Sequence, residues 1–176
     1  MTTSIATTQT LPTGTWQLDP TQTTITVTAK KLGFYAVPAT LTVTSGTIEI
    51  GDDNQVASVE VIADAGSYTS KNAKRNEHIR SADFLDVEHH PTLTFRAGTV
   101  TPTAASHRAD GSVTVKGVEH PLSVEVSDVA VDAERASFEA IATVDRTAIG
   151  VDALPTLVIG RELQLHVTAT ALLAAS

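Results

Sequence analysis

Cysteine is absent from this chain of 176 residues, and tryptophan and methionine occur once each. Without cysteine the protein cannot form disulfides, use a thiolate nucleophile or build a cysteine-based zinc or iron–sulfur site. Long apolar runs are also missing, so no transmembrane helix is predicted. The chain has no glycine-rich phosphate-binding motif and no Gly-x-Ser-x-Gly motif, which removes the commonest nucleotide-dependent enzymes and the hydrolases with a nucleophile elbow.

Basic residues are few: 12 Lys and Arg stand against 20 Asp and Glu, for a net charge of -8. This sign argues against nucleic acid as a partner, against electrostatic docking onto an anionic leaflet and against stable membrane insertion. Residues 1–14 are Thr-rich and lack both a basic residue and an apolar run typical of a Sec signal peptide. We therefore expect a disordered tail over 1–14, a single domain over 15–174 and a cytoplasmic protein.

The residues that are abundant favour extended backbone, because the chain has 28 Thr, 19 Val and 9 Ile. Apolar and polar residues alternate with period two in nine segments, which are separated by turn signals such as Asp110-Gly111. The predicted strands are 15–18, 23–31, 39–50, 56–64, 92–100, 111–116, 122–131, 136–144 and 163–172. Eight or nine strands without crossover helices predict an antiparallel barrel or sandwich, and strands of 8 to 12 residues favour a tall barrel.

The alternation also predicts which side chains face inward. Leu122, Val124 and Val126 alternate with Ser123, Glu125 and Ser127, so one face is apolar and the other is solvated. Residues 163–168 follow the same pattern. Small residues at apolar positions, Ala140, Ala142 and Val144, are compatible with a hollow lumen, although an eight-stranded barrel can equally be filled by side chains.

Two segments depart from the strand pattern. Residues 72–84 are rich in charge, and their apolar members Ala73, Ile79, Ala82 and Phe84 would be brought together only by a short helix. Residues 146–155 predict a loop with a turn of helix.

Neither a metal centre nor a catalytic group is predicted. His89 and His90 are adjacent, and neighbouring side chains of an extended chain point to opposite faces. Asp83, Asp86 and Glu88 show no sign of converging as an acid/base pair. Asp83 is expected to neutralise Arg75 and Arg80, and Asp145-Arg146 is expected to form an ion pair at a strand end. No catalytic cofactor is therefore expected.

Several motifs occur in a familiar order. Trp16-Gln17-Leu18-Asp19 is followed by Arg75-Asn76-Glu77-His78-Ile79-Arg80-Ser81-Ala82-Asp83-Phe84, then by Pro91-Thr92-Leu93-Thr94-Phe95, by residues 113–122 and by Asp145-Arg146 with Gly150. This order resembles the YceI-like family of polyisoprenoid-binding proteins over about residues 16–171. Asn76 and Thr69 stand where that family usually has Asp, Lys31 stands where His is common, and Ala39-Thr40-Leu41 replaces a Gly-x-Phe motif.

The resemblance implies an all-β, antiparallel, eight-stranded lipocalin-like barrel with an elongated apolar tunnel and a short helical connection. It implies an isoprenoid lipid ligand, of the quinone or polyprenyl phosphate type, bound without turnover for storage, transport or sequestration. A homodimer is left open. The predicted tunnel lining is Leu32, Phe34, Tyr35, Val37, Leu41, Phe84, Phe95, Val113, Val115, Leu122, Val124, Val126, Phe138 and Ala140.

Two other functions stay open. The first is an enzyme or sequestering protein that acts on another apolar small molecule in the same lumen. The second is a filled barrel that serves as a protein-interaction module.

Overall fold

The computed structural model describes residues 11–32, 35–103, 106–150 and 160–174. Nine strands and one helix form in these ranges: β1 (Gly14–Leu18), β2 (Thr24–Lys31), β3 (Tyr35–Ile50), β4 (Val56–Thr69), α1 (Ala73–Arg80), β5 (Thr92–Pro102), β6 (His107–Val115), β7 (Val118–Asp132), β8 (Arg135–Asp145) and β9 (Glu162–Leu173). Each predicted strand is present, and β3, β4 and β7 are longer than expected.

The nine strands make a closed antiparallel barrel with eight strand positions. Their order is β3-β2-β9-β8-β7-β6-β5-β4, and the pairing of β3 with β4 closes the sheet. The short strand β1 pairs with the same two neighbours as β2, namely β3 and β9. Because β1 and β2 lie one after the other between these neighbours, they share one position. Because the sheet closes on itself, it has no exposed edge. Of the two predicted architectures, barrel and sandwich, the protein therefore adopts the barrel.

Asp19 makes the break between β1 and β2. Its carboxylate accepts hydrogen bonds from the Thr21 amide at 2.9 Å, the Thr21 hydroxyl at 2.7 Å and the Gln22 side chain at 2.7 Å. The hydrogen bond from the Thr21 side chain is the main reason that the pKa of Asp19 lies below its ordinary value. The carboxylate stabilises a single 3-10 turn over Pro20–Gln22, after which the chain rejoins the barrel.

The two ends of the barrel have different apolar clusters. Trp16 is fully buried at one end, where it packs with residues such as Val43, Ile48 and Ala171. Phe84 and Val115 form a smaller cluster at the other end, beneath α1. We call these the Trp16 end and the helix end. The space between the clusters is the lumen.

The Trp16 end includes residues that the sequence assigned to a tail. Leu11 packs against the buried cluster, and the Pro12 carbonyl accepts a 2.9 Å hydrogen bond from Nε1 of Trp16. Thr13 donates to the Gly51 carbonyl at 2.9 Å. Residues 11–14 are therefore part of the fold, because this segment supplies the hydrogen-bond acceptor that the buried indole needs. Residues 1–10 lie outside the described residues.

The helical connection is shorter than the predicted 72–84 and is held mainly by polar contacts. Asn72 caps α1 by accepting from the Arg75 amide at 3.1 Å. Asn76 accepts from the amide and hydroxyl of Ser70, each at 2.7 Å, and Arg80 donates through Nε to the Tyr68 carbonyl at 3.1 Å. These bonds fasten α1 to the end of β4.

Only two of the four apolar residues predicted to gather at the helix do so. Phe84 is buried and Ile79 packs against it, whereas Ala73 and Ala82 are exposed. The expected pairing of Asp83 with Arg75 and Arg80 is wrong. The Asp83 side chain is largely exposed and lies 3.7 Å from Nε2 of His78, while Arg80 turns toward the backbone of β4.

Glycine at position 111 is predicted to be required by the close approach of β5 to β6. A Cβ added at Gly111 would lie 2.1 Å from the Arg96 carbonyl oxygen, whereas one added at Gly98 would meet nothing within 4 Å. Gly111→Ala should lower the free energy of unfolding by about 1–3 kcal/mol, since the backbone must shift. Gly98→Ala should leave it unchanged or raise it by up to about 1 kcal/mol. Urea denaturation measures both, and equal values would contradict the strand register.

A glutamate is predicted to destabilise the protein at one position of β9 and to leave its stability almost unchanged at the adjacent position. Leu165 faces the lumen and Gln164 faces solvent. Leu165→Glu should cost at least about 2 kcal/mol of stability, because its carboxyl group has no partner on the apolar wall. Gln164→Glu should stay within about 0.5 kcal/mol of the parent protein. Denaturant unfolding of both variants provides the measurement, and similar losses would show that this strand has the opposite orientation.

Candidate functional site

The lumen is a continuous apolar cavity of about 520 Å³ that extends from the Trp16 end to the helix end. This volume lies within the range of roughly 300–1,000 Å³ that is usual for small-molecule sites. Every strand from β2 to β9 contributes side chains to its wall. Most of them are Val, Ile, Leu or Ala, so the wall offers burial to an apolar ligand and little directional chemistry.

The wall follows from the alternation of each strand. On β7 the side chains of Leu122, Val124 and Val126 line the cavity, as predicted, while Ser123 and Glu125 are exposed. The small side chains of Ala140 and Ala142 line it from β8. The lumen is hollow because opposite walls of this size do not meet across an eight-stranded barrel.

Eleven of the fourteen residues predicted to line the tunnel lie on the cavity wall: Val37, Leu41, Phe84, Phe95, Val113, Val115, Leu122, Val124, Val126, Phe138 and Ala140. Leu32 and Tyr35 do not. They are 51% and 58% exposed, because the chain turns between β2 and β3 beyond the end of the wall. Phe34 lies outside the described residues. Contact of the wall residues with a ligand stays a prediction.

Four polar side chains lie on the wall at the helix end, and none of them was predicted from the sequence to line the tunnel. Tyr68, at the end of β4, joins Arg75 and His78 of α1 and Arg146, which follows β8. His78 stacks edge-on against Phe84, with ring centroids 4.8 Å apart. Burial raises the pKa of the Tyr68 hydroxyl, and the Arg75 charge acts in the opposite direction. We call these four residues the polar cluster.

Arg146 is the most deeply placed member of the polar cluster, with 2% of its surface exposed. Its Nε donates to the Gly160 carbonyl at 2.9 Å. The predicted ion pair with Asp145 is wrong, because Asp145 points away and lies 3.3 Å from Nε of Arg161. A buried cation beside an apolar wall was hidden in the sequence, since Asp-Arg pairs are common at exposed strand ends.

Asp145 instead fixes the backbone that carries Arg146. Its Oδ1 accepts from the Thr147 hydroxyl at 2.6 Å and from the amides of Thr147 and Ala148 at 3.0 and 3.3 Å. The Thr147 hydroxyl bond is the main reason that the pKa of Asp145 is lowered. This turn directs successive side chains to opposite sides, and Arg146 enters the lumen.

The described part of the wall contains no Asp, Glu, Ser or Thr. Besides the polar cluster, its polar members are Asn54, Gln55 and His107 at the Trp16 end. The polar groups on the described part of the wall are therefore arginine, histidine, amide and phenol groups, without a carboxylate. Such a site favours an apolar molecule with an electron-rich or anionic group at one end.

His89, His90 and His166 do not line the cavity. His89 is bound through Nδ1 to Asp86 at 2.9 Å, and this hydrogen bond raises the pKa of His89 and lowers that of Asp86. His166 faces outward near Glu139, at 3.4 Å. No group of three potential metal ligands occurs among the residues that the structure describes.

No helix in the described ranges is long and apolar enough to cross a membrane.

Solved structures with the same fold include BcnA of Burkholderia cenocepacia, with a TM-score of 0.72 and 18% identity over 87% of this chain and 98% of that one. A polyisoprenoid binding domain from Saccharophagus degradans, implicated in plant cell wall breakdown, matches with a TM-score of 0.66 and 13% identity over 90% and 98% of the two chains. At these identities the similarity establishes the barrel fold.

Curated relatives match at higher identity over a shorter segment. A UPF0312 protein of Pseudomonas aeruginosa is 31% identical over 98 residues, which are 53% of this chain and 51% of that protein. The YceI protein of Escherichia coli O157:H7 is 30% identical over 115 residues, or 62% and 60% of the two chains. The matched segment thus spans about half the length of the first of these relatives. The model of the YceI-like domain matches residues 16–171, and the chain therefore belongs to the YceI-like family.

Proposed function

We propose that this protein binds an isoprenoid lipid, of the quinone or polyprenyl phosphate type, in its lumen and holds it for storage, transport or sequestration. One observation carries the proposal: a continuous apolar cavity of about 520 Å³ with a polar cluster at one end. This matches the two-part chemistry of a long apolar tail with a small headgroup. The Saccharophagus degradans neighbour, described as a polyisoprenoid binding domain, supports the same ligand class.

The wall accounts for binding of the tail. Each buried methylene contributes at most about 0.8 kcal/mol, and side chains such as Phe95, Val124 and Leu165 surround the lumen along its length. Ordering a flexible tail offsets much of this gain. Apolar contacts also discriminate weakly between chains that differ by one methylene, so the lumen should tolerate tails of different lengths.

The polar cluster accounts for the headgroup. Arg75 is half-buried at the wall, and no hydrogen bond or ion pair joins its guanidinium group to another described residue. Arg146, His78 and the Tyr68 hydroxyl face the same end. Quinone carbonyls and phosphate oxygens both accept hydrogen bonds from such donors.

The chemistry of the wall favours binding over turnover. A hydrolytic site needs a nucleophile beside a base, or two carboxyl groups in different environments. The described wall supplies histidines but no hydroxyl nucleophile of Ser or Thr and no carboxylate. We therefore infer a binding protein rather than an enzyme that acts on another apolar molecule.

Filling the lumen should abolish lipid binding. Ala142 faces the cavity and the next residue, Thr143, is exposed. We expect the parent protein to yield a stoichiometric isoprenoid lipid when its organic extract is examined by mass spectrometry. Ala142→Phe should lose this lipid, because the ring occupies space in the lumen, and Thr143→Phe should retain it.

The same experiment has clear contrary outcomes. An extract of the parent protein without lipid, combined with no uptake of an added quinone or polyprenyl phosphate, would refute lipid binding. Equal occupancy of the two phenylalanine variants would place the ligand outside the lumen. Circular dichroism spectra confirm that both variants are folded.

Removing one cation of the polar cluster should weaken binding of the headgroup. Arg75→Met deletes a guanidinium group at the wall, whereas Lys74→Met deletes an exposed neighbouring charge on α1. For a polyprenyl phosphate, Arg75→Met should raise the Kd about tenfold or more, on the scale of a charge-assisted hydrogen bond. Lys74→Met should change it less than about twofold. Isothermal titration calorimetry with a short-chain polyprenyl phosphate gives both Kd values, and equal changes would remove Arg75 from the headgroup site.

A further inference from the structure

The two ends of the barrel differ in charge, although the chain is acidic as a whole. Every lysine lies at the helix end: Lys30 and Lys31 at the end of β2, Lys71 and Lys74 around the start of α1, and Lys116 between β6 and β7. The turns at the Trp16 end carry Asp52, Asp53, Asp132 and Glu134, with Arg135 as the nearest cation in the sequence. The net charge of -8 is therefore unevenly distributed.

One part of the helix end combines positive charge with exposed apolar surface. Lys30, Lys31, Leu32 and Tyr35 form what we call the hairpin tip, between β2 and β3. Leu32 and Tyr35 are 51% and 58% exposed. The sequence between Asp19 and Glu49 contains no acidic residue, and neither lysine forms an ion pair with another described residue.

The hairpin tip is continuous with the wall of the lumen. Lys31 pairs with Tyr35 in the β2–β3 register, and two residues further into the barrel Ala29 pairs with Val37. Both Ala29 and Val37 line the cavity. A lipid at the tip thus meets the apolar wall within two residues.

Two more lysines extend the positive surface. Thr69, two residues before Lys71, pairs with Thr40 of β3, so the start of α1 lies on the β3 side of the hairpin. Carboxylates on the other side of this end are partly neutralised, since Asp145 lies near Arg161 and Asp86 binds His89. Asp64 of β4, Glu77 of α1 and Glu162 of β9 remain as acidic residues on the elements beside the tip, and Asp83, Glu88 and Glu119 lie elsewhere at this end.

We propose that the hairpin tip docks this protein onto an anionic lipid bilayer, with Leu32 and Tyr35 in the headgroup region and the lysines against lipid phosphates. Lysine and tyrosine side chains suit this position because each joins an apolar body to a polar end. The acidic Trp16 end is repelled by the same surface, which orients the helix end toward the membrane. The net charge argued against docking onto an anionic leaflet, but it averages two ends of the barrel that differ in charge. The role of docking in lipid loading rests on the proposed function.

The charge of the tip favours a bilayer over a second copy of this chain. A symmetric dimer through the tip would bring the lysines of two copies together, which is repulsive. An anionic bilayer offers a continuous surface of opposite charge. A head-to-tail contact between copies is distinguished by sedimentation in the absence of vesicles, and an oligomer that disappears in tip variants would overturn the proposal.

The test is flotation of the full chain with phosphatidylcholine vesicles that contain phosphatidylglycerol, compared with phosphatidylcholine alone. Binding should require the anionic lipid and should fall when NaCl is raised from about 0.1 M to about 1 M, since the screening length shortens from about 10 Å to about 3 Å. Lys30→Gln/Lys31→Gln should weaken binding by roughly fivefold for each lysine. Leu32→Ser/Tyr35→Ser should weaken it at both salt concentrations.

A matched control removes the same charge elsewhere. Arg96→Gln/Arg108→Gln deletes two exposed cations from the barrel side, and its binding should change less than about twofold. Equal losses for the two double variants, or no binding by the parent protein, would overturn docking by the tip.

Failure of docking and failure of the proposed function give different results. Ala142→Phe should still float with anionic vesicles while taking up no isoprenoid lipid. If the parent protein floats but never acquires lipid, docking stands and the proposed function fails. If Lys30→Gln/Lys31→Gln extracts a fluorescent quinone from vesicles as fast as the parent protein, the docking proposal fails while lipid binding stands.

Discussion

Closure of the sheet is the constraint on which the rest of this structure depends. When β3 pairs with β4, every second side chain of the eight strand positions is directed into one enclosed space. The chain places mostly Val, Ile, Leu and Ala there, with only a few aromatic rings. Side chains of this size cover the wall but do not span the lumen, so an apolar cavity follows from closure and residue size together.

Packing at the two ends of the barrel compensates for the stability that the empty cavity costs. Empty apolar volume weakens dispersion contacts and lowers stability, and a barrel without a packed centre must close its ends well. Trp16 fills the space at one end and hydrogen-bonds to Pro12. Phe84 and Val115 pack beneath α1 at the other. Trp16 and Phe84 thus pack at the two ends of the barrel, and the space between them is left open.

Most of the fold could be predicted because a barrel strand repeats one simple rule. Leu122, Val124 and Val126 identify the inner face of β7 from alternation alone, and the same rule locates the walls on β8 and β9. Places where the chain leaves a strand obey no such rule. Leu32 and Tyr35 look like wall residues in the sequence, yet they lie past the point where the β2–β3 hairpin turns outward. The orientation of a side chain in a turn depends on the turn geometry, which alternation does not specify.

The polar cluster was missed for a related reason. Arg146 and Asp145 are adjacent in sequence, and a pair of opposite charges suggests a mutual salt bridge. The structure shows otherwise, because Arg146 continues the inward series of Ala142 and Val144 on β8, while Asp145 bonds to Thr147 and Ala148. Arg75 and His78 belong to a short helix whose sequence is charged throughout. The hydrogen bonds of Asn76 to Ser70 and of Arg80 to Tyr68 set the orientation of the helix. They therefore determine which of its charged side chains face the lumen.

The polar cluster and the hairpin tip lie at the same end of the barrel, and this coincidence has a physical consequence. Moving a charged or strongly polar headgroup through an apolar lumen would cost several kcal/mol, because the described wall between the two ends offers it no hydrogen-bond partner. A lipid that enters at the helix end with its tail first never makes that passage. If both proposals hold, its headgroup passes from the membrane surface to Arg75 at the polar cluster while the tail lies along the wall toward Trp16. The same end of the barrel would then set the entry and the orientation of the ligand, and the acidic Trp16 end would face away from the membrane.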